Sequence, residues 1–198
     1  MKKIVFAMML LMSAATGYAQ TATQVLDKAT QKLNIKNGFK ADFKATMTQG
    51  TISGSIAVKG NKFMATTQHT KVWFDGKTQW TYMTRNDEVN VSNPKDSEIQ
   101  SLNPYNFINL YKKGYKSTMQ KNGGNYVIHL TAESKAKKVQ ELFVTVDSKS
   151  YALSQVKMLQ GRKWMIFDIS NLKQETLPDA YFHFNAKDFP TAEVIDLR

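Results

Sequence analysis

Cysteine is absent from the 198 residues. That excludes disulfide scaffolding, thiolate zinc sites, thiol catalysis and lipid attachment to an N-terminal Cys. Histidine is scarce. His69, His129 and His183 are the full set, far apart in sequence, which argues against a His-based metal or catalytic site. No metal and no cofactor is expected. Acid is in short supply too, with 16 Asp and Glu against 27 Lys and Arg, a formal charge of +11. No low-complexity tract, repeat or linker divides the chain, and no Gly-x-Ser-x-Gly elbow or phosphate loop is present. What is plentiful is apolar residue, at 42%, enough to build a core and to exclude disorder throughout.

The first nineteen residues read as a cleaved signal peptide. Lys2 and Lys3 precede the apolar stretch Ile4 to Met12, and Gly17-Tyr18-Ala19 sets small side chains at −3 and −1. The stretch is too short to cross a bilayer, which takes about 20 residues, and no later run is long enough. Residues 20–198 should then be the exported, soluble chain, expected in the periplasm. Losing Lys2 and Lys3 lowers its formal charge from +11 to +9. Excess positive charge often marks nucleic-acid binding, but an exported protein rarely meets nucleic acid, and these Lys residues are scattered. They read as solubilising residues on strands and turns, or as a surface for acidic partners or anionic head groups.

Thr21-Ala22-Thr23-Gln24 is a capping-box pattern, and Val25, Leu26, Ala29 and Leu33 recur at helical spacing. This predicts an amphipathic helix over roughly 22–35, ended by Gly38. The period then switches to two. Phe39, Ala41, Phe43, Ala45 and Met47 alternate with Lys40, Asp42, Lys44, Thr46 and Thr48. Further alternating segments follow, with Asp75-Gly76 predicted as a two-residue hairpin turn. The alternation breaks at Pro94. Asn103-Pro104 looks like a helix start, Gly114 like its end, and the apolar residues between lie nearly all round the helix. Strands resume at 115–120, 125–132, 139–146, 151–159 and 163–171, and the ending is less regular. Together these predict a single mainly β domain over 20–198, with about eleven antiparallel strands and short helices.

Eleven strands about 4.8 Å apart make a sheet roughly 50 Å wide, with an apolar face on the order of 1,100 Å². Two helices of about ten residues shield only roughly 300 Å² of it. The sheet must therefore close into a barrel, split into a sandwich, or stay a half-open shell whose hydrophobic concave face is plugged by helices. The all-round apolar segment 103–113 favours the shell. Such a shell implies an apolar ligand, since each buried CH₂ contributes about 0.8 kcal/mol. Candidate lining residues are Phe39, Phe43, Met47, Ile56, Phe63, Ala65, Trp80 and Tyr82 from the strands. Phe107, Ile108 and Leu110 would come from the plug helix. An ordinary dry core of these same side chains stays open as an alternative.

Catalytic patterns are weak. Ser154-Gln155-Val156-Lys157 matches Ser-x-x-Lys, but in a strand positions i and i+3 face opposite ways. Asp87 and Glu88 are neighbours and diverge for the same reason. The chain is not expected to be an enzyme.

Several stretches together resemble the LolA-type periplasmic lipoprotein carriers. They are Gly38-Phe39, the run Phe39 to Phe43, Gly54-Ser-Ile-Ala-Val-Lys59, Asn61-Lys62-Phe63, and above all Phe74-Asp75-Gly76-Lys77-Thr78-Gln79-Trp80-Thr81-Tyr82. The segment Asn103-Pro104 to Tyr111 and the ending Phe184 to Ile195 are similar to the variant seen in Bacteroidetes. The resemblance implies an incomplete antiparallel barrel of eleven strands with helices over a hydrophobic hollow. It also implies a chaperone role, in which lipoprotein acyl chains pass from an inner-membrane ABC-type exporter to the outer membrane. Without Cys, the chain resembles the soluble carrier rather than the lipidated acceptor. It is read as a monomer. Many members hold their lid helices with an Arg that Lys59-Gly60-Asn61-Lys62-Phe63 lacks. Lys59 and Lys62 are the cations available for that gating role, though neither offers the planar fork of Arg. A broader lipid-binding or lipoprotein-sensing role in the envelope is the alternative. Cleavage after Ala19 should leave Gln20 as the first residue, which N-terminal sequencing of the exported protein checks.

Overall fold

The computed structural model describes residues 20–95, 111–112 and 114–198. The expected signal peptide, and the expected plug helix with Phe107, Ile108 and Leu110, lie outside the described residues apart from Tyr111 and Lys112.

Helix α1 (Ala22–Leu33) starts where its capping box predicts. Thr21 Oγ1 accepts from the Gln24 N–H at 3.2 Å, and Gln24 Oε1 accepts from the Thr21 N–H at 3.0 Å. The pair satisfies two amides that a helix start leaves without partners. Asn34, in the left-handed conformation at φ 49°, ends the helix. Ala22, Val25, Leu26, Ala29 and Leu33 form one buried side.

Twelve strands follow: β1 (Phe39–Met47), β2 (Gly50–Lys59), β3 (Lys62–Thr67), β4 (Thr70–Phe74), β5 (Gln79–Met83), β6 (Glu88–Ser92), β7 (Tyr115–Asn122), β8 (Asn125–Ala132), β9 (Val139–Asp147), β10 (Leu153–Gln160), β11 (Lys163–Gln174) and β12 (Glu193–Asp196). They form one sheet in the order β12-β6-β5-β4-β3-β2-β1-β11-β10-β9-β8-β7. Every neighbouring pair is antiparallel except β12 with β6, which is parallel. Two meanders, β1–β6 and β7–β11, join where β1 pairs with β11. The outermost strands, β12 and β7, do not pair with each other, so the sheet is not closed into a barrel. The expected fold class holds, with twelve strands among the described residues against the eleven anticipated. The additional strand, β12, falls in the ending read as less regular, and its four residues are too few for an alternating pattern to register.

Cross-strand register sorts the side chains onto two faces. Ile52, Ala45, Phe167, Val156, Val144, Ile128 and Met119 stand opposite one another in turn, an apolar row across seven strands from β2 to β7. A second row runs Phe39, Val58, Phe63, Phe74, Gln79 and Ser92 across β1 to β6. Both rows lie on the face that carries α1, the front, and most of their apolar members share one buried cluster with it. The other face, the back, carries Lys40, Ala57, Met64, Trp73 and Trp80 in a parallel row. At the outer edge, β7 is mostly exposed and bears Lys116 and Lys121.

The back of β2–β5 is covered by the segment after β11. Leu177 and Phe182 are buried there with Ala57, and Met64 packs against them. Phe184 and Phe189 each lie 5.6 Å from the Trp73 ring, and Phe189 lies 4.6 Å from Tyr82.

Gly54 is a point of close approach. A Cβ there would meet the Thr66 carbonyl oxygen at 2.1 Å and the tip of the Phe43 ring at 3.0 Å. Only glycine lets β2 and β3 pair while Phe43 lies across them. Gly54→Ala should therefore destabilise the protein by about 1–3 kcal/mol, read from the shift in a urea unfolding midpoint.

Candidate functional site

The front face is apolar over β1–β4 and β8–β11 and turns polar at β5 and β6. There Gln79 stands opposite Ser92, and Thr81 opposite Asn90. Helix α1, with 12 residues, is about 18 Å long and roughly 10 Å across, much smaller than the sheet beneath it. At one end of the face the apolar row is open. Ile52 is 45% exposed, and Phe43 and Met47 are half-buried. An exposed Ile continuous with a buried apolar row extends that row to solvent. Towards the other end, Phe39, Phe63 and Phe74 are fully buried, the last two in ring contact at 5.4 Å.

Of the eight strand residues expected to line the hollow, Phe39, Phe43, Met47, Ile56, Phe63 and Ala65 lie on the front face. Trp80 and Tyr82 lie on the back, a correction to their expected inward parity. Four residues, 75–78, connect β4 to β5 in place of the predicted two-residue turn, and Asp75 Oδ1 accepts from the Lys77 and Thr78 amides. Gln79 stands opposite Phe74 and Trp80 takes the other face, a parity that a two-residue turn would share because both connections have an even number of residues. The aromatic alternation here marks burial under the C-terminal segment. Sequence reading missed Gln79, Ile52 and Phe167 on the front. Counting parity outward from Phe39 through each pairing would have found them.

Lys59 and Lys62 also project to the back. Lys59 Nζ donates to the Leu177 carbonyl at 2.7 Å and lies 2.9 Å from Asp179 Oδ1, while Lys62 Nζ lies 2.9 Å from Asp179 Oδ2. These lysines, the expected gating cations, clasp the C-terminal segment. Hydrogen bonds from Lys59 and Lys62 hold the Asp179 carboxyl down at about 2. On the front, the Tyr111 hydroxyl donates to Asp27 of α1. Burial first, and then that hydrogen bond, raises the Tyr111 phenol above its ordinary range.

Among the described residues, Gln79 carries the one buried side-chain atom without a hydrogen-bond partner. Its Nε2 donates to Thr81 Oγ1 at 3.1 Å, but its Oε1 is sealed from solvent and has no hydrogen-bond partner among the described residues. An orphaned buried acceptor costs about 1–3 kcal/mol.

Two hollows open on the back. One, of about 420 Å³, is walled by Lys40, Asp42, Asn171, Lys173 and Tyr181. The other, of about 330 Å³, is walled by Asn122, Asn125, Gln155, Lys157 and Phe143. Both linings mix these polar groups with apolar side chains, Ala57 and Met64 in the first and Val127 in the second. Ser154 and Lys157 lie on strand β10, where the Ser154 hydroxyl donates to the Thr145 carbonyl. No helix among the described residues is long and apolar enough to cross a membrane.

The model of the outer membrane lipoprotein carrier protein LolA family matches residues 12–162, and the chain belongs to that family. Membership supports a lipoprotein-binding, carrier kind of role, the kind its family performs. The fold is shared with an uncharacterized conserved protein from Thermus thermophilus, 12% identical, with 89% of this chain and 99% of that one covered at a TM-score of 0.59. A LolA superfamily protein from Nitrosomonas europaea is also similar, 12% identical, covering 84% of this chain and 99% of that one at a TM-score of 0.44. No curated protein gives a significant sequence match.

The lysine clasp predicts an acid response. Asp179 titrates near 2 when folded, against about 3.9 when free. Its depressed value stabilises the docked segment above about pH 4, and that contribution is lost as pH falls towards 2. Fluorescence of Trp73 and Trp80 should report loosening in that window. The Lys59→Met, Lys62→Met double variant should lack this acid-dependent component.

Proposed function

We propose that the protein is a periplasmic carrier that takes the acyl chains of lipoproteins onto its front face and shuttles them from the inner to the outer membrane. Residues 20–198, after removal of the leader, form the working unit, acting as a monomer. An inner-membrane ABC-type exporter supplies the cargo, and an outer-membrane acceptor receives it. Phe39, Phe43, Met47, Ile56, Phe63 and Ala65 belong to the binding face.

The observation that carries this reading is the apolar row reaching solvent at Ile52, in a chain of the lipoprotein carrier family. Acyl chains laid along that row replace water with hydrocarbon, at about 0.8 kcal/mol per CH₂. The polar end at β5 and β6 leaves room for the hydrophilic part of the cargo.

Depletion in the native host should strand lipoproteins at the inner membrane, read by fractionation. Mass spectrometry of the protein purified from that host should find a co-bound lipid or lipoprotein. Ile52→Glu and Met47→Glu place a charge at the open end, where exposure lets the fold tolerate it. Each should weaken uptake of a fluorescent fatty-acid probe about tenfold with little change in melting temperature. Unchanged uptake in both variants would move the binding surface elsewhere.

A further inference from the structure

We infer that Gln79 is a specificity-determining residue of the front face, hydrogen-bonded by the amide at the head of an acylated peptide. This rests on the carrier reading above and names which part of the cargo is recognised.

Three observations converge on Gln79. By register it continues the row Phe39, Val58, Phe63 and Phe74, so its amide stands where the apolar part of the face ends. Its Nε2 is engaged by Thr81, while its Oε1 is buried and unpartnered among the described residues. Its cross-strand neighbour is Ser92, and the next pair is Thr81 with Asn90. Apolar side chains thus give way to a group of hydroxyls and amides within one strand spacing.

A lipidated peptide has the matching order of groups: hydrocarbon, then an amide carrying an N–H donor, then further peptide. Gln79 Oε1 can accept from that N–H. A fatty-acid carboxylate or an ester has no N–H to offer. An ester or carboxylate oxygen brought against Oε1 sets acceptor against acceptor, which disfavours it. The geometry therefore selects acylated amines and peptides over free fatty acids and simple esters of equal chain length, a distinction that apolar contact alone does not make.

The test uses two uncharged probes of equal length, N-palmitoyl-alanine methyl ester and its ester isostere, O-palmitoyl-lactate methyl ester. Each competes with a fluorescent fatty acid for the protein beginning at Gln20. The wild-type protein should prefer the amide by about fivefold. Gln79→Met, apolar and of similar length, should bring the ratio close to one, with folding checked by its thermal melt. Gln79→Leu provides a second apolar replacement should the first melt early. Equal affinity for both probes in the wild-type protein, or a preference that survives both replacements, overturns the role of Gln79 and leaves the carrier reading standing. Failure of the wild-type protein to take up the fluorescent fatty acid or either probe would instead remove the carrier reading itself, and this inference with it.

Discussion

The pairing of β1 with β11 holds the molecule together. It joins two meanders whose other strand pairs are mostly local hairpins. Phe39 meets Gln174 and Thr46 meets Ile166, contacts that close a loop of more than a hundred residues. The seam tolerates one irregularity, a register shift between Lys40 and Asp42 with Asn171 in the left-handed conformation at φ 51°. Asn171 Nδ2 donates to Asp42 Oδ2 at 2.7 Å and ties the bulge across the seam. Beyond it the register recovers, so Ala45 meets Phe167 and the apolar row passes from one meander to the other. Without that seam, neither half would offer an apolar face long enough for α1 to cover only in part.

The two faces are buried by different means. α1 packs on the front with the residues of both meanders. On the back of β2–β5, Leu177, Phe182, Phe184 and Phe189 form a second, smaller apolar layer. Lys59, Lys62 and Asp179 clasp its first turn at the surface. Exposed ion pairs of this kind contribute little to stability, and their value here is to fix where the segment lies. Among the described residues, the front is thus covered by a single helix, while the back of β2–β5 is covered by the chain's own C-terminal segment.

Local patterns were legible and distant ones were not. The capping box at Thr21 and Gln24 predicted the helix start because both partners lie within one turn. The alternation from Phe39 to Met47 marked β1 and its front face, because period two is a property of the strand alone. Trp80 and Tyr82 misled because alternation separates two faces without saying which is inward. That choice depends on the aromatic partners about a hundred residues later that cover the back. Lys59 and Lys62 were recognisable as cations near a lid-holding motif, yet their carboxylate partner is Asp179. Gln79 was hidden by its aromatic neighbours. Its isolation emerges only when its pairing with Phe74 and its lack of a donor are seen together.

The β7 edge, which pairs with no further strand among the described residues, has a consequence for crowded conditions. An exposed strand with open amides and carbonyls invites a second copy to add on, which is how sheet proteins begin to polymerise. Lys116 and Lys121 stand on opposite faces of that strand, so a copy docking on it would face repulsion from above and below the sheet plane. Two lysine charges on one short edge strand thus set like against like when copies meet there, which keeps that edge from seeding a growing sheet.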